Sequence, residues 1–245
     1  MALSKKVPEE VKYPHQPLIE VDSEIRFYGE PVVESKRHEF YEAVRDIYPL
    51  VFVPPIQAGT HPSLQHYRFE TEDATAGATL ALNSFGYFQR DYQGAKNYIN
   101  ELLRLFNIAN GLFNIKNFSR VGWRYINAIP YTRENQLIPL ANYFEQPPRF
   151  FSIESHSYSR INFSATTQYE DKSISVRLES DESLGTGKEM LIFDIDVYKD
   201  SLKEIGFKGG GIPSLINELH CIGRNCFEDS ITEKYRSFLK GDIYE

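Results

Sequence analysis

Ser119-Arg-Val-Gly-Trp-Arg-Tyr-Ile-Asn127 alternates two kinds of side chain with a period of two residues. Val121, Trp123 and Tyr125 share one side, and Arg120, Gly122, Arg124 and Ile126 share the other, as an extended strand requires. One side suits a core. The other carries two guanidinium groups around a glycine, which leaves room for an anion or a base to approach the backbone. A cross-strand ion pair with an acidic strand is the preferred reading of these arginines. Leu18–Tyr28 offers such a strand: Ile19, Val21, Ile25 and Phe27 alternate with Glu20, Asp22, Glu24 and Arg26. That acidic ladder reads as the wet face of a sheet.

The segments around these two strands complete a first unit. Ser35 can cap a helix that runs to about Tyr48, where Pro49 limits it, and Val51–Ala58 reads as a Pro-rich loop. His66–Thr71 and Ala78–Tyr87 read as a hairpin turning at Gly77. A helix from Gln93 to Asn110, stopped by Gly111, leads into a strand at Phe118–Ile129. The order is β-α-β-β-α-β, the split arrangement of ferredoxin-like folds. Strands at Ser159–Thr166, Ser173–Leu178 and Glu189–Tyr198 follow, with residues 181–187 connecting the last two. Gly209–Pro213 then precedes a helix over Pro213–Leu239, and the capping-box spacing of Ser230 and Glu233 breaks that helix near Asp229. The expected class is α+β, with two antiparallel-sheet lobes that each carry a long helix. The expected divisions are an extended arm over 1–17, a lobe over 18–148 and a lobe over 149–245, with Pro147-Pro148 at the boundary.

Composition narrows the function. The 245 residues carry 27 Lys+Arg against 34 Asp+Glu, a formal net charge of −7. This balance argues against a general nucleic-acid coat, which needs a basic surface to meet phosphates. Cys221 and Cys226 sit five apart in a helical segment where their side chains diverge, so a reduced pair is expected. No apolar run approaches the roughly 18 residues that span a bilayer, and the first ten residues lack the apolar core of a signal peptide. The expected setting is cytoplasmic, away from membranes. Phe and Tyr number 17 and 16, with one Trp. Many fit strand and helix faces, but clusters remain at 85–92 and 143–151, where elements join.

Those clusters supply the first candidates. Phe85, Tyr87, Phe88, Arg90 and Tyr92, with Tyr143 and Phe144, are residue types enriched at protein interfaces. Tyr87, Phe88, Arg90 and Tyr92 could also stack on a planar ligand. Asp194 and Asp196, in Leu-Ile-Phe-Asp-Ile-Asp-Val, point to one face of a strand and could hold Mg²⁺ for phosphoryl chemistry. The plainer reading pairs them with Arg177 or Arg160 on neighbouring strands. No phosphate-cradling glycine loop, Gly-x-Ser-x-Gly elbow or zinc spacing of His and Cys occurs. His220 with Glu218 or Glu228 could act as a general base, although one histidine beside a core stripe is more often structural.

Several stretches together resemble a known group of proteins. They are Pro17-Leu-Ile-Glu-Val21 with Glu24-Ile-Arg-Phe27, the Phe85–Tyr92 segment, Arg120–Asn127, Leu191–Asp196, and Leu219-His220 followed by Phe227–Thr232. In order and spacing the chain resembles a sporadically distributed prokaryotic family of about this length, without assigned function. Trp123 departs from it, since an aliphatic residue is expected there. The patchy distribution implies an accessory or mobile-element context such as phage defence or toxin–antitoxin loci, and no catalytic residues carry over. The leading expectation is a non-catalytic protein that binds a protein partner or itself and needs no cofactor. A metal-dependent phosphoesterase or nuclease using Asp194 and Asp196, with Mg²⁺, is one alternative. A nucleotide- or RNA-binding module using Arg120 and Arg124, flanked by Tyr87 and Tyr92, is the other.

Overall fold

Phe118–Pro130 is the longest strand, and it is hydrogen-bonded to a neighbour on each side. The protein was analysed as a computed structural model, which describes residues 13–53, 55, 65–145, 158–181, 189–202 and 211–242. The elements run β1 (Leu18–Phe27), α1 (Val32–Val44), β2 (Leu50–Phe52), β3 (Tyr67–Glu70), β4 (Ala76–Ala81), β5 (Ser84–Gln89) and α2 (Ala95–Phe113). They continue with β6 (Phe118–Pro130), α3 (Leu140–Tyr143), β7 (Asn162–Tyr169), β8 (Lys172–Asp181), β9 (Met190–Asp200), α4 (Gly211–Ser230) and α5 (Glu233–Lys240). The class is α+β. All strand pairs are antiparallel, in one sheet of order β2-β3-β4-β5-β1-β6-β9-β8-β7.

A single sheet replaces the two expected from the sequence. β9, from the second half of the chain, pairs with β6 from Arg120 opposite Asp200 to Pro130 opposite Met190. The expected lobe boundary at 148/149 lies outside the described residues, as do the aromatics at 148–151 and the 182–187 connection. Of the expected N-terminal arm, residues 13–17 are described, and they are docked. The His15 amide donates to the Leu239 carbonyl, and the His15 ring stacks on Phe238 with centroids 5.2 Å apart.

Helices cover one face of the sheet. α1 and α2 pack together, α2 contacts β5 and α4, and α4 lies on β6 and β9. The alternation of β6 sends Val121, Trp123 and Tyr125 into this layer, where Trp123 is fully buried. The Tyr98 ring of α2 meets Trp123 edge-on at 4.8 Å, and its hydroxyl donates to the Tyr87 carbonyl at 2.5 Å. Phe40 of α1 fills the far end against Phe69, Phe85 and Phe113. α4 comes close to the sheet because Gly223 has no side chain; a Cβ there would stand 3.2 Å from the Tyr125 ring.

Local signals were misread in three places. Ala78–Tyr87 is two strands, because Leu82-Asn83 forms a turn within it, and the turn expected at Gly77 falls earlier, before β4. Gly77 instead lies inside β4, where a Cβ would come within 2.6 Å of the Phe69 carbonyl. The turn before it is held by Asp73, which accepts bonds from the Thr71 hydroxyl and from the amide and hydroxyl of Thr75. α2 runs past Gly111 to Phe113 and ends at Asn114, which adopts the left-handed conformation at φ 55°. α1 starts at Val32, so Ser35 is inside it and donates to the Val32 carbonyl.

The long C-terminal helix breaks where expected, but through a different cap. Thr232 rather than Ser230 accepts the Tyr235 amide at 3.1 Å, while Ser230 bonds back to the Cys226 carbonyl. Truncating the ring at the centre of the helix layer tests the packing. Trp123→Ala is expected to cost about 3–5 kcal/mol in urea unfolding, since α2 and α4 cannot both close on the void.

Candidate functional site

The sheet face opposite the helices is polar, and β6 organises it. Arg124 donates from Nε and Nη2 to both Asp194 oxygens at 2.8 and 2.7 Å, a bidentate pair across β6 and β9. Arg120 donates to Asp196 at 2.8 Å, and its guanidinium lies 3.8 Å over the Tyr198 ring. The Asp194 bond raises the affinity of Arg124 for its proton. Burial pushes the Asp196 carboxyl above its ordinary range, against the pull of Arg120 and Arg124. Asp194 and Asp196 therefore do share a face, but their partners are Arg124 and Arg120 rather than Arg177 or Arg160. Arg177 is turned to Glu179. A divalent cation at Asp194 and Asp196 would have to displace two guanidinium groups. Among the described residues no three His, Cys, Asp or Glu side chains are grouped to hold a metal ion.

The same pairing engages both arginines of the anion-binding reading, although the buried Arg120 Nε has no hydrogen-bond partner. Tyr87 cannot flank them, because it lies on the helix side of β5 and is buried against Tyr98. Tyr92 is also on the helix side, 6.0 Å from Tyr98 and 6.3 Å from Tyr125. Of the remaining aromatic interface candidates, Phe85 is buried among Phe40 and Phe106, Tyr143 against Tyr235, and Phe144 against Phe193. Their junction positions are filled by core packing, so their rings offer no exposed surface. Phe88 does reach the polar face, but Arg68 and Arg90 cover it at 4.8 and 5.1 Å. Arg90 is further tied to Glu20 at 2.9 Å and to the Ala74 carbonyl.

No family model matches this chain, and no curated protein matches it.

The geometry therefore has to identify the site by itself. A cavity of about 340 Å³ opens on the polar face over β1, β5 and β6. Asp22 stands in it, directly across from Phe88 on β5 and from Arg124 on β6. Its neighbours on β1 are engaged, Glu20 with Arg90 and Glu24 with Arg26 at 2.6 Å. Asp22 makes no hydrogen bond or ion pair among the described residues. Burial, then the nearby Glu20, pushes its carboxyl up to about 7 from the ordinary 3.8, with Arg124 acting in the opposite sense. His66, at the rim, bonds Ser84 at 2.8 Å, and burial lowers its affinity for a proton. The alternation of β1 placed Asp22 on this face but not its isolation. That depended on which neighbour each arginine chose.

A second, smaller cavity of about 90 Å³ lies on the helix side between α4 and the start of α2. There the Tyr125 hydroxyl and His220 Nδ1 are 2.5 Å apart, and Trp123 lies against the imidazole at 5.1 Å. Glu218 is bonded to Lys172, and Glu228 takes the Tyr13 hydroxyl and Arg236. His220 is thus built into the core between α4 and β6.

The third feature is an exposed apolar strand edge. β2 pairs only with β3 among the described residues. Ile47, Leu50, Val51, Phe52 and Val53 are 51, 45, 46, 48 and 43% exposed. Val51 and Phe52 belong to this strand rather than to the Pro-rich loop expected over Val51–Ala58. Its signal was the absence of Asp, Glu, Lys or Arg from Ile47 to Tyr67 in a chain that is 25% charged.

Three variants probe the polar face. Arg124→Ala strands the buried Asp194 and is expected to cost about 2–3 kcal/mol in urea unfolding; Arg26→Ala, at an exposed pair, should cost under about 1. Asp22 acts through pH. The folded chain holds this proton to higher pH than the unfolded chain, so stability falls as pH rises from about 4 to about 7. Asp22→Asn should remove that loss. Relative to the wild type it should gain on the order of 2 kcal/mol between pH 4 and 8, read as the difference between two unfolding series.

Proposed function

We propose that the protein is non-catalytic and acts by binding another protein, which adds an extended apolar segment as a strand beside β2. The single observation behind this reading is the edge itself. Sheet edges are usually blunted by charge, by short polar strands or by covering elements. The opposite edge, β7, follows that rule with exposed Asn162, Ser164, Thr166 and Gln168. β2 departs from it, with exposed apolar side chains on both of its faces and no second neighbouring strand among the described residues. A partner strand gains main-chain hydrogen bonds and covers alternate side chains on each face.

A second copy of this chain, pairing through the same edge, is the alternative occupant. An accessory role in a mobile defence or toxin–antitoxin-like system, in a cytoplasmic setting, rests on the sequence resemblance. The thiols of Cys221 and Cys226, both free, suit a reducing compartment. The split β-α-β reading of the first half is retained on similar terms. β4, β5, β1 and β6 lie side by side in that order, α1 follows β1 and α2 links β5 to β6.

Affinity purification from the native host, followed by size-exclusion chromatography with light scattering, tests the reading. The wild type should retain a stoichiometric partner that protects the amides of 50–53 from hydrogen exchange. Val51→Lys should lose the partner while unfolding within about 0.5 kcal/mol of the wild type. A dimer dissolved by Val51→Lys would replace the partner with self-association. A monomer that retains nothing would end the proposal.

A further inference from the structure

Among the described residues, the polar face leaves one carboxyl group without an ion-pair partner. Five arginines line the cavity, and each already has a carboxylate. Arg26 holds Glu24, Arg68 lies 2.7 Å from Glu70, Arg90 holds Glu20, Arg120 holds Asp196 and Arg124 holds Asp194. The carboxylate left over is Asp22, and it stands in open volume rather than in packed core. An anion entering here would meet guanidinium groups that already hold carboxylates, with the buried Arg120 Nε as one donor left without a hydrogen bond, and three β1 carboxylates beside them. A cation would meet the same carboxylates, with Asp22 free of an ion pair.

We infer that this cavity is a binding site for an organic cation, a guanidinium or primary ammonium group, with Asp22 as its counter-ion. The volume, about 340 Å³, falls in the range of small-molecule sites. Glu20 and Glu24, two residues to either side on β1, present further acceptor oxygens for the several N–H donors that such a group carries. Phe88 and its covering arginines close one side, and Arg124, with both bonding nitrogens directed to Asp194, closes the other. The cation can be a free small molecule or a side chain presented by a protein. The inference does not rest on the β2 edge.

Binding has a built-in pH dependence. Asp22 shares the cavity with Glu20, Glu24 and Arg26 of its own strand, with His66 and Arg68 at β3, with Arg90 from the end of β5, with Arg120 and Arg124 from β6, and with Asp196 from β9. In this setting Asp22 holds a proton up to about pH 7, and below that pH one proton leaves as one cation enters.

Isothermal titration of the full chain with agmatine, and in parallel with the blocked peptide acetyl-Gly-Arg-Gly-amide, tests this. At pH 8 at least one probe should bind at 1:1 stoichiometry. Its affinity should fall about tenfold per pH unit below pH 7, with proton release detected from buffers of different ionisation enthalpy. Asp22→Asn should weaken binding at least tenfold at pH 8 and flatten the pH profile, and Val51→Lys should leave both unchanged. Preference for agmatine identifies a free cation, and preference for the peptide a presented side chain. Three outcomes overturn the inference: neither probe binds at millimolar concentration, Asp22→Asn binds as well as the wild type, or inorganic phosphate binds in their place.

Discussion

Strand β6 is hydrogen-bonded to β1 along one edge and to β9 along the other, and this double pairing constrains everything around it. A strand held on both sides cannot rotate, so each side chain is committed to one of two faces. Trp123 and Tyr125 go to the helices and become the floor on which α2 and α4 pack. Arg120 and Arg124 go to the open face and must find their counter-charges there. A slip of one residue would bury two guanidinium groups and expose the Trp123 ring, so the register is strongly specified. The same strand joins the two halves of the chain into one sheet, because β1 precedes it by almost 100 residues and β9 follows it by about 60.

The open face behaves as a surface that neutralises itself. Antiparallel sheets can leave one side to water, and charged residues on that side usually pair across strands. Here the pairing is nearly complete. Each guanidinium over the cavity takes one carboxylate, and those carboxylates come from β1, β3 and β9. Once these pairs form, Asp22 has acidic neighbours along its own strand and an arginine across from it that is already engaged. Partial burial makes that position costly for a charge, and the carboxyl responds by keeping its proton. A residue of ordinary type thus becomes responsive near neutral pH through the choices of its neighbours.

How much of this could be read from the chain depended on how local each property is. The faces of β1, β6 and β9 were legible, because a period of two needs only the strand itself. The break between α4 and α5 was legible for the same reason, although the capping side chain proved to be Thr232. The turn at Leu82-Asn83 was missed because alternation runs through it, with only an asparagine to mark the change. The aromatic residues at 85–92 and 143–144 were misplaced by adjacency. They sit at junctions in sequence, yet Phe85 and Phe144 are buried because α1, α2 and β9 close over them. Val51 and Phe52 of β2 lay in a stretch dismissed for its prolines.

The sequence by itself determined the class, the strand alternation and the set of charged residues that would share one face. These follow from steric rules that act within a few residues. Tertiary structure alone decided that the halves share one sheet, that Arg124 takes Asp194 and Arg120 takes Asp196, and that Asp22 takes neither arginine. Those partners lie 70 and 76 residues apart in the chain. No local pattern can choose between chemically equivalent carboxylates at such a distance. Strand order makes the choice, by deciding which strands become neighbours once the helices have covered the apolar face.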